Sequence, residues 1–298
     1  MRRGIGTGVG IGVVCVMAAV AGCKKNDYNM YALTTSDHLI GFNASKPTDI
    51  TSDVAVTEPT DGSTLVQIFY RPSDQALYGL SDDLVLYTVD PGSGALTAVS
   101  GGSVISGTSY ASDTISSPVA SVDPVADQLR VIATDANNNL TTNTPDNLNL
   151  RVDLTSGALI ADSLTTPLVD QPLKFDGGDT NSGTNLSLLS LAYTNPVAGA
   201  GSTTLYALDQ NTDSLVRIGN DGDSTTLSVD NGTVFTVGTL GVSFSYGALA
   251  IEAKNGDAYA ALGTTLYSID LGSGTATKVD QIGDGTWTAR SLAVQPGT

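Results

Sequence analysis

A chain of 298 residues with a formal charge of −17, 41% hydrophobic and only 14% charged residues, is long enough for one large all-β domain or two ordinary ones. Its acidity opposes phosphate backbones and anionic lipid, which excludes nucleic acid as a partner. The only glutamates, Glu58 and Glu252, stand against many aspartates, asparagines and glycines, so short strands and tight turns are expected rather than a helical bundle.

The N-terminus reads as a leader. Met1-Arg2-Arg3 is a short basic start, and residues 4–22 are apolar and rich in small side chains. The stretch ends in Val20-Ala21-Gly22-Cys23, which resembles the lipobox of bacterial lipoproteins. Residues 1–22 are thus expected to be a signal peptide, Cys23 the lipidation site, and residues 23–30 a tether. Residues 4–22 are too glycine-rich for a membrane span. Cys15 would leave with the signal and Cys23 would be acylated, so no disulfide and no thiolate metal site remains. Lys24 and Lys25 follow Cys23 with no Asp beside it. By analogy with enterobacterial sorting, this points to the outer membrane.

From residue 31 onward one pattern recurs. The first copy has strands at Met30–Leu33 and His38–Asn43, a polar loop, and a strand at Ser52–Val56. The second is the sharpest: Leu65–Tyr70, Leu77–Leu80, Leu84–Asp90 and Ala95–Ser100, joined by tight turns. The third runs through Val119–Val122, Leu129–Ile132, Leu148–Asp153 and Ala158–Ile160, interrupted by an Asn/Thr insertion at Asp135–Asn147. Thr165–Asn185 is expected to be a mobile surface loop. The fourth copy is Leu188–Thr194, Leu205–Leu208, Leu215–Ile218 and Thr233–Val237. The fifth is Ala248–Ile251, Ala258–Leu262, Leu266–Asp270 and Thr275–Val279.

One strand is left over. Arg290–Pro296 matches the first strand of copies two to five, which the first copy lacks. A C-terminal strand that completes an N-terminal sheet closes a ring without an open edge. The repeat, at roughly 50 to 65 residues, exceeds an ordinary blade only by its insertions. The expectation is a single all-β domain over residues 31–298, a β-propeller of five four-stranded blades, or six if the insertions hide strands. A β-sandwich is the alternative, and the closing strand counts against it.

Several segments carry a family resemblance: Tyr31–Thr34, Leu77–Leu80, Leu86–Asp90, Asp123–Val131, Ala192–Asn195 and Thr204–Tyr206. Together they resemble an uncharacterised bacterial family known as a domain of unknown function, numbered 4394. The Pro-Val-Ala-Asp-Gln-Leu-Arg-Val run at 124–131 is the most specific part. The resemblance implies a propeller-like, extracytoplasmic protein and brings no activity with it.

The chemistry-bearing residues each have a plain structural reading beside the functional one. Asn43, Asp90, Asp153 and Asp270 end strands, where their side chains can close the next turn. Asp221-Gly222-Asp223 and Asp135–Asn139 are solvated loops or weak calcium sites, and neither follows the EF-hand pattern. His38 is the only histidine and is expected at an exposed turn, so neither a zinc site nor a Ser-His-Asp triad can be assembled elsewhere. Tyr78, Tyr87, Tyr206, Tyr259 and Tyr267 recur at matching places and are expected to pack between blades. Carbohydrate stacking is their alternative, and Trp287 could serve either role.

Aligning the copies gives the sharpest site. Arg71, Asp123, Asn195, Glu252 and Gln295 fall at the same end of the first strand of their copies. First strands line a propeller's central channel, so these five are expected to ring its mouth as a ligand-binding set; the competing reading is that strand ends are polar because they meet water. No catalytic residue, resident metal or cofactor is singled out, calcium excepted. The expected role is a binding or interaction module at the bacterial cell envelope, membrane-attached through its lipid and meeting an envelope protein or glycan. The alternative is a glycan- or ester-active hydrolase using channel carboxylates.

Overall fold

A computed structural model describes residues 27–57, 59, 62–99, 101–106, 115–135, 147–160, 170–219 and 228–297. The signal segment, Cys23, residues 136–146 and Asp221-Gly222-Asp223 lie outside them. The described chain is almost wholly β. Its strands alternate with turns of Asp, Asn, Ser and Gly, as the shortage of Glu and Lys requires.

The first blade contains β1 (Asn29–Thr34), β2 (His38–Asn43) and β3 (Lys46–Ala55). The second is β4 (Leu65–Tyr70), β5 (Leu77–Ser81), β6 (Leu86–Val89) and β7 (Leu96–Ala98). The third has three strands, β8 (Ile115–Asp123), β9 (Gln128–Asp135) and β10 (Asn147–Asp153). The fourth has β11 (Lys174–Phe175) outside β12 (Leu188–Tyr193), β13 (Leu205–Asp209), β14 (Ser214–Ile218) and β15 (Thr233–Thr239). The fifth is β16 (Gly247–Ile251), β17 (Ala258–Leu262), β18 (Thr265–Ile269) and β19 (Ala276–Gln281). The last strand, β20 (Ala289–Val294), returns to pair antiparallel with β1, with Met30 opposite Val294 and Leu33 opposite Ser291. The first blade is therefore built from both ends of the chain, and the ring closes as a five-bladed propeller.

Packing follows the ring. The apolar core divides into five clusters, and each sits at one junction between neighbouring blades. Both faces of the inner strands are thus buried. That is why β5, β16 and β17 are buried at every residue and show no polar alternation. Tyr78, Tyr87, Tyr206, Tyr259 and Tyr267 all pack into these clusters. Outer strands have one wet face: β3 alternates exposed and half-buried residues along its length.

Three details differ from the sequence expectation. β3 begins at Lys46, inside the stretch read as a polar loop; an edge strand facing water needs no apolar run. Among the described residues, the third blade's fourth strand is represented by a Val152–Leu159 bridge and a bond from Ile160 N to the Arg151 carbonyl. Finally, residues 170–176, expected to be a surface loop, form a strap. Asp170 bridges Asn149 on the edge of the third blade, and Lys174–Phe175 pairs parallel with β15 of the fourth. The strap's own Leu173 is completely buried. The strap covers edges that would otherwise present unpaired backbone.

The junctions also fix two glycines of the repeated Gly-Ser-Gly turns. Gly94 and Gly274 have φ of +71° and +76°, and a Cβ at Gly94 would lie 2.2 Å from the Ala55 carbonyl oxygen of the neighbouring blade. Gly94→Ala is expected to lower stability by about 2 kcal/mol or more, read from the urea midpoint, because backbone on both sides must move.

Candidate functional site

The inner strands β20, β4, β8, β12 and β16 surround one central cavity, which all five line. Its walls carry Gln67, Ser121, Ser190 and Ser291 among apolar residues. The three serines satisfy backbone groups on the inner edges of the blades. The Ser291 hydroxyl accepts from Ile68 N (3.0 Å), the Ser190 hydroxyl from Leu249 N (2.8 Å) and the Ser121 hydroxyl from Tyr193 N (3.3 Å). Each of these bonds crosses a blade junction. The enclosed volume of about 70 Å³ is room for a few waters.

The cavity opens where the inner strands end. Pro72, Pro196, Ala253, Gln295 and Pro296 line that mouth. Val125 and Val197, in the neighbouring turns, are 48% and 44% exposed. The mouth face thus carries an apolar collar: Pro72, Pro196, Ala253 and Pro296 line the opening, and Val125 and Val197 stand exposed in turns of the same face. The third strongly exposed large hydrophobic among the described residues, Tyr246, precedes β16 and so lies on the opposite face.

The five residues expected at the mouth do end the inner strands, but most of their side chains are spent on structure. Asp123 Oδ1 accepts from Val125 N (2.8 Å) and Ala126 N (3.2 Å). Glu252, 4% exposed, accepts from Lys254 N (2.5 Å) and Asn255 N (2.8 Å). Both carboxylates close the turn that follows, because those N–H groups have no other partner there. Arg71 reaches sideways to the next blade. Its Nε and Nη2 donate to the two oxygens of Asp127 at 3.0 and 2.7 Å, and Nη2 also meets Thr155 Oγ1 at 3.3 Å. Asn195 donates to the Ser202 carbonyl at 3.0 Å, from a left-handed φ of +50°. The strand register moves this copy by one residue. Tyr193 pairs Leu205 as Tyr70 pairs Leu77 and Ile251 pairs Ala258, so Thr194 holds the place matching Arg71 and Glu252. Only Gln295 of the five lines the mouth. Among the described residues, the lining contains no Asp or Glu.

The turn aspartates behave as expected. Asn43, Asp90, Asp153 and Asp270 each accept from the backbone N–H two residues on, at 2.8–2.9 Å. His38 begins β2 directly after the turn, with its side chain 35% exposed; its Nδ1 lies 2.5 Å from Asp53 Oδ1, and its ring meets Trp287 at 5.3 Å.

The Arg71–Asp127 clamp has a pH signature. The Arg71 hydrogen bonds hold the Asp127 carboxyl below the usual carboxylate range, and backbone and side-chain bonds from Ser156 do the same for Asp153. A carboxyl depressed on folding stabilises the fold above its unfolded pKa of about 4, and that contribution is lost as pH falls through the folded value. Asp127→Asn is therefore expected to cost about 1 kcal/mol at pH 7 and almost nothing near pH 2, read from urea midpoints across that range.

The strongest charged centre joins the third and fourth blades. Arg130, 4% exposed, donates to Asn149 Oδ1 (2.8 Å), to Asp170, and to Asp230 Oδ1 (2.6 Å). Arg151 completes it with bonds of 3.0 and 2.8 Å to Asp170. Asp170 belongs to the strap, and Asp230 to a 3-10 turn at Val229–Asn231. Sequence reading missed this centre. Its one signal was an arginine between the apolar residues Leu129 and Val131, at a position whose strand neighbours are buried.

A family model described as a domain of unknown function, DUF4394, matches residues 38–293. No curated protein matches the chain. Among solved structures it is similar to a luciferin-regenerating enzyme, at 12% identity over 88% of this chain and 79% of that one, with a TM-score of 0.45. It is also similar to a structural-genomics protein of unknown function from Bacteroides thetaiotaomicron (14% identity, 92% and 68% covered, TM-score 0.45). A chain of a nidogen–laminin complex gives 10% identity, 91% and 98% coverage and a TM-score of 0.45.

Proposed function

The chain belongs to the family of domains of unknown function DUF4394, and we propose that this member is a lipid-anchored binding module of the bacterial cell envelope that works through the mouth face of its propeller. The anchor is Cys23, preceded by Val20-Ala21-Gly22 and the basic start at Arg2 and Arg3, and the membrane is the outer one. The observation that carries the binding role is the collar. Val125 and Val197 stand out into solvent on the face where Pro72, Pro196 and Pro296 line the opening between the five inner strands. Apolar side chains exposed together on one face mark an interaction surface. The charged side chains near the mouth are already engaged in turns and in the Arg71–Asp127 clamp.

Photo-cross-linking in intact cells tests this reading. A benzophenone amino acid placed at Val125 or Val197 is expected to give adducts, and one at Tyr246 on the opposite face is not. Equal labelling from both faces would remove the assignment of the mouth face. A Cys23→Ser variant is expected to lose incorporation of an alkynyl fatty acid; unchanged incorporation would remove the anchor.

A further inference from the structure

The reading above leaves open what the mouth face meets, and the way the chain joins the propeller answers it. Tyr28 is pinned: its hydroxyl donates to Asp257 Oδ2 (2.8 Å) and accepts from Asn255 Nδ2 (2.5 Å), and its ring meets Tyr259 edge-on at 6.2 Å. Its carbonyl accepts from Ala44 N (2.8 Å), and the next carbonyl, of Asn29, accepts from Gln295 N at 2.9 Å. Asn255 and Asp257 belong to the turn after β16, the same turn that places Ala253 at the mouth, and Gln295 lines the mouth itself. The chain therefore leaves the disc on the mouth face.

The free length is short. Four peptide units separate Asp27 from Cys23, a reach of at most about 14 Å. The headgroup layer of one leaflet takes up roughly 5–8 Å of that. With Tyr28 fixed and so little chain beyond it, the rim of the mouth face at Tyr28 stays within about 14 Å of the lipid that holds it. The collar is on that face, with Val125 and Val197 on the third and fourth blades, across the opening from Tyr28.

Resting on the Cys23 anchor, we propose that the mouth face lies against the bilayer, with Val125 and Val197 touching its headgroup region and the cavity opening onto the membrane surface. The charge favours one kind of surface: without Arg2 and Arg3 the processed chain carries −19 rather than −17, and an acidic protein is repelled by anionic lipid and rests on a zwitterionic one. Two half-exposed valines would not hold a free protein on lipid. Held there by its anchor at high effective concentration, the protein needs them only to orient.

The test uses the full acylated lipoprotein in phosphatidylcholine vesicles. Single variants Val125→Cys, Val197→Cys and Tyr246→Cys take an environment-sensitive fluorophore, since the Cys23 thiol is blocked and Cys15 is gone with the signal. Emission at positions 125 and 197 is expected to shift to the blue. Headgroup-attached spin labels should quench those positions several-fold more than position 246. Equal quenching at all three positions in vesicle-bound protein, or stronger quenching at 246, would overturn the orientation and leave the anchor standing. Acylation and vesicle flotation are read first; protein that is not acylated and does not float refutes the anchor, and the orientation falls with it.

Discussion

Arg130→Met is expected to cost about 3–5 kcal/mol of stability, the largest loss from any single side chain outside the apolar core. The guanidinium is 4% exposed and joins Asn149 on β10, Asp170 on the strap and Asp230 in the 3-10 turn. Removing it strands Asp170, whose side chain is 3% exposed, with Arg151 as its remaining cationic partner. An uncompensated buried carboxylate is far costlier than an exposed one. The strap and the turn both hang on this centre, because Asn149 Nδ2 also holds the carbonyls of Gln171 and Val229 at 3.1 Å. Urea titration should show the midpoint falling, and the melting temperature should drop by roughly 10 °C or more. In a double-mutant cycle with Asp170→Asn, the double variant should lose much less than the sum of the two single losses. A change below about 1 kcal/mol, or simple additivity, would show that the centre is not coupled as its geometry indicates.

Ending the chain at residue 287 is expected to abolish cooperative folding. The missing segment includes all of β20, whose Ala289, Ser291, Leu292 and Ala293 are buried. Without it the first blade has no inner strand and β1 presents an open edge. Two blade junctions lose their inner contacts, and Ile68 N loses the Ser291 hydroxyl. Near-UV circular dichroism on heating should show no sharp transition, and a synthetic peptide of residues 288–297 added in trans should restore it. A truncated chain that melts cooperatively within a few degrees of the full one would mean that the ring does not depend on its clasp.

The architecture was legible because propeller strands leave a strong mark. Runs such as Leu77–Leu80 and Ala258–Leu262 are apolar on both faces, and the turns between strands use Asp and Gly that close on themselves. The clasp was legible because one strand was left over. What failed to show was long-range pairing. Nothing local in Gln171-Pro172-Leu173-Lys174 says that it will lie along two blades, and Arg130, Asp170 and Asp230 are far apart in the chain. The site was legible only in position. Aligned polar residues correctly marked the strand ends, but whether a carboxylate faces a ligand or its own turn depends on the next two N–H groups, and Asp123 and Glu252 both chose the turn. The apolar collar was missed because Pro and Val after a strand end read as ordinary turn residues. The most family-specific run is itself structural: Asp127 takes Arg71, and Arg130 centres the buried network, while Asp123 just before the run closes a turn.

The measurement that tests the central claim most directly is hydrogen–deuterium exchange of the acylated protein in its native membranes, compared with soluble residues 24–298. Slower exchange is expected in the mouth-face turns 71–76, 123–127, 194–203 and 252–257, with the opposite turns 35–37, 82–84 and 210–213 unchanged. Protection on the opposite face, or none on either, would contradict the assignment of function to the mouth of this propeller.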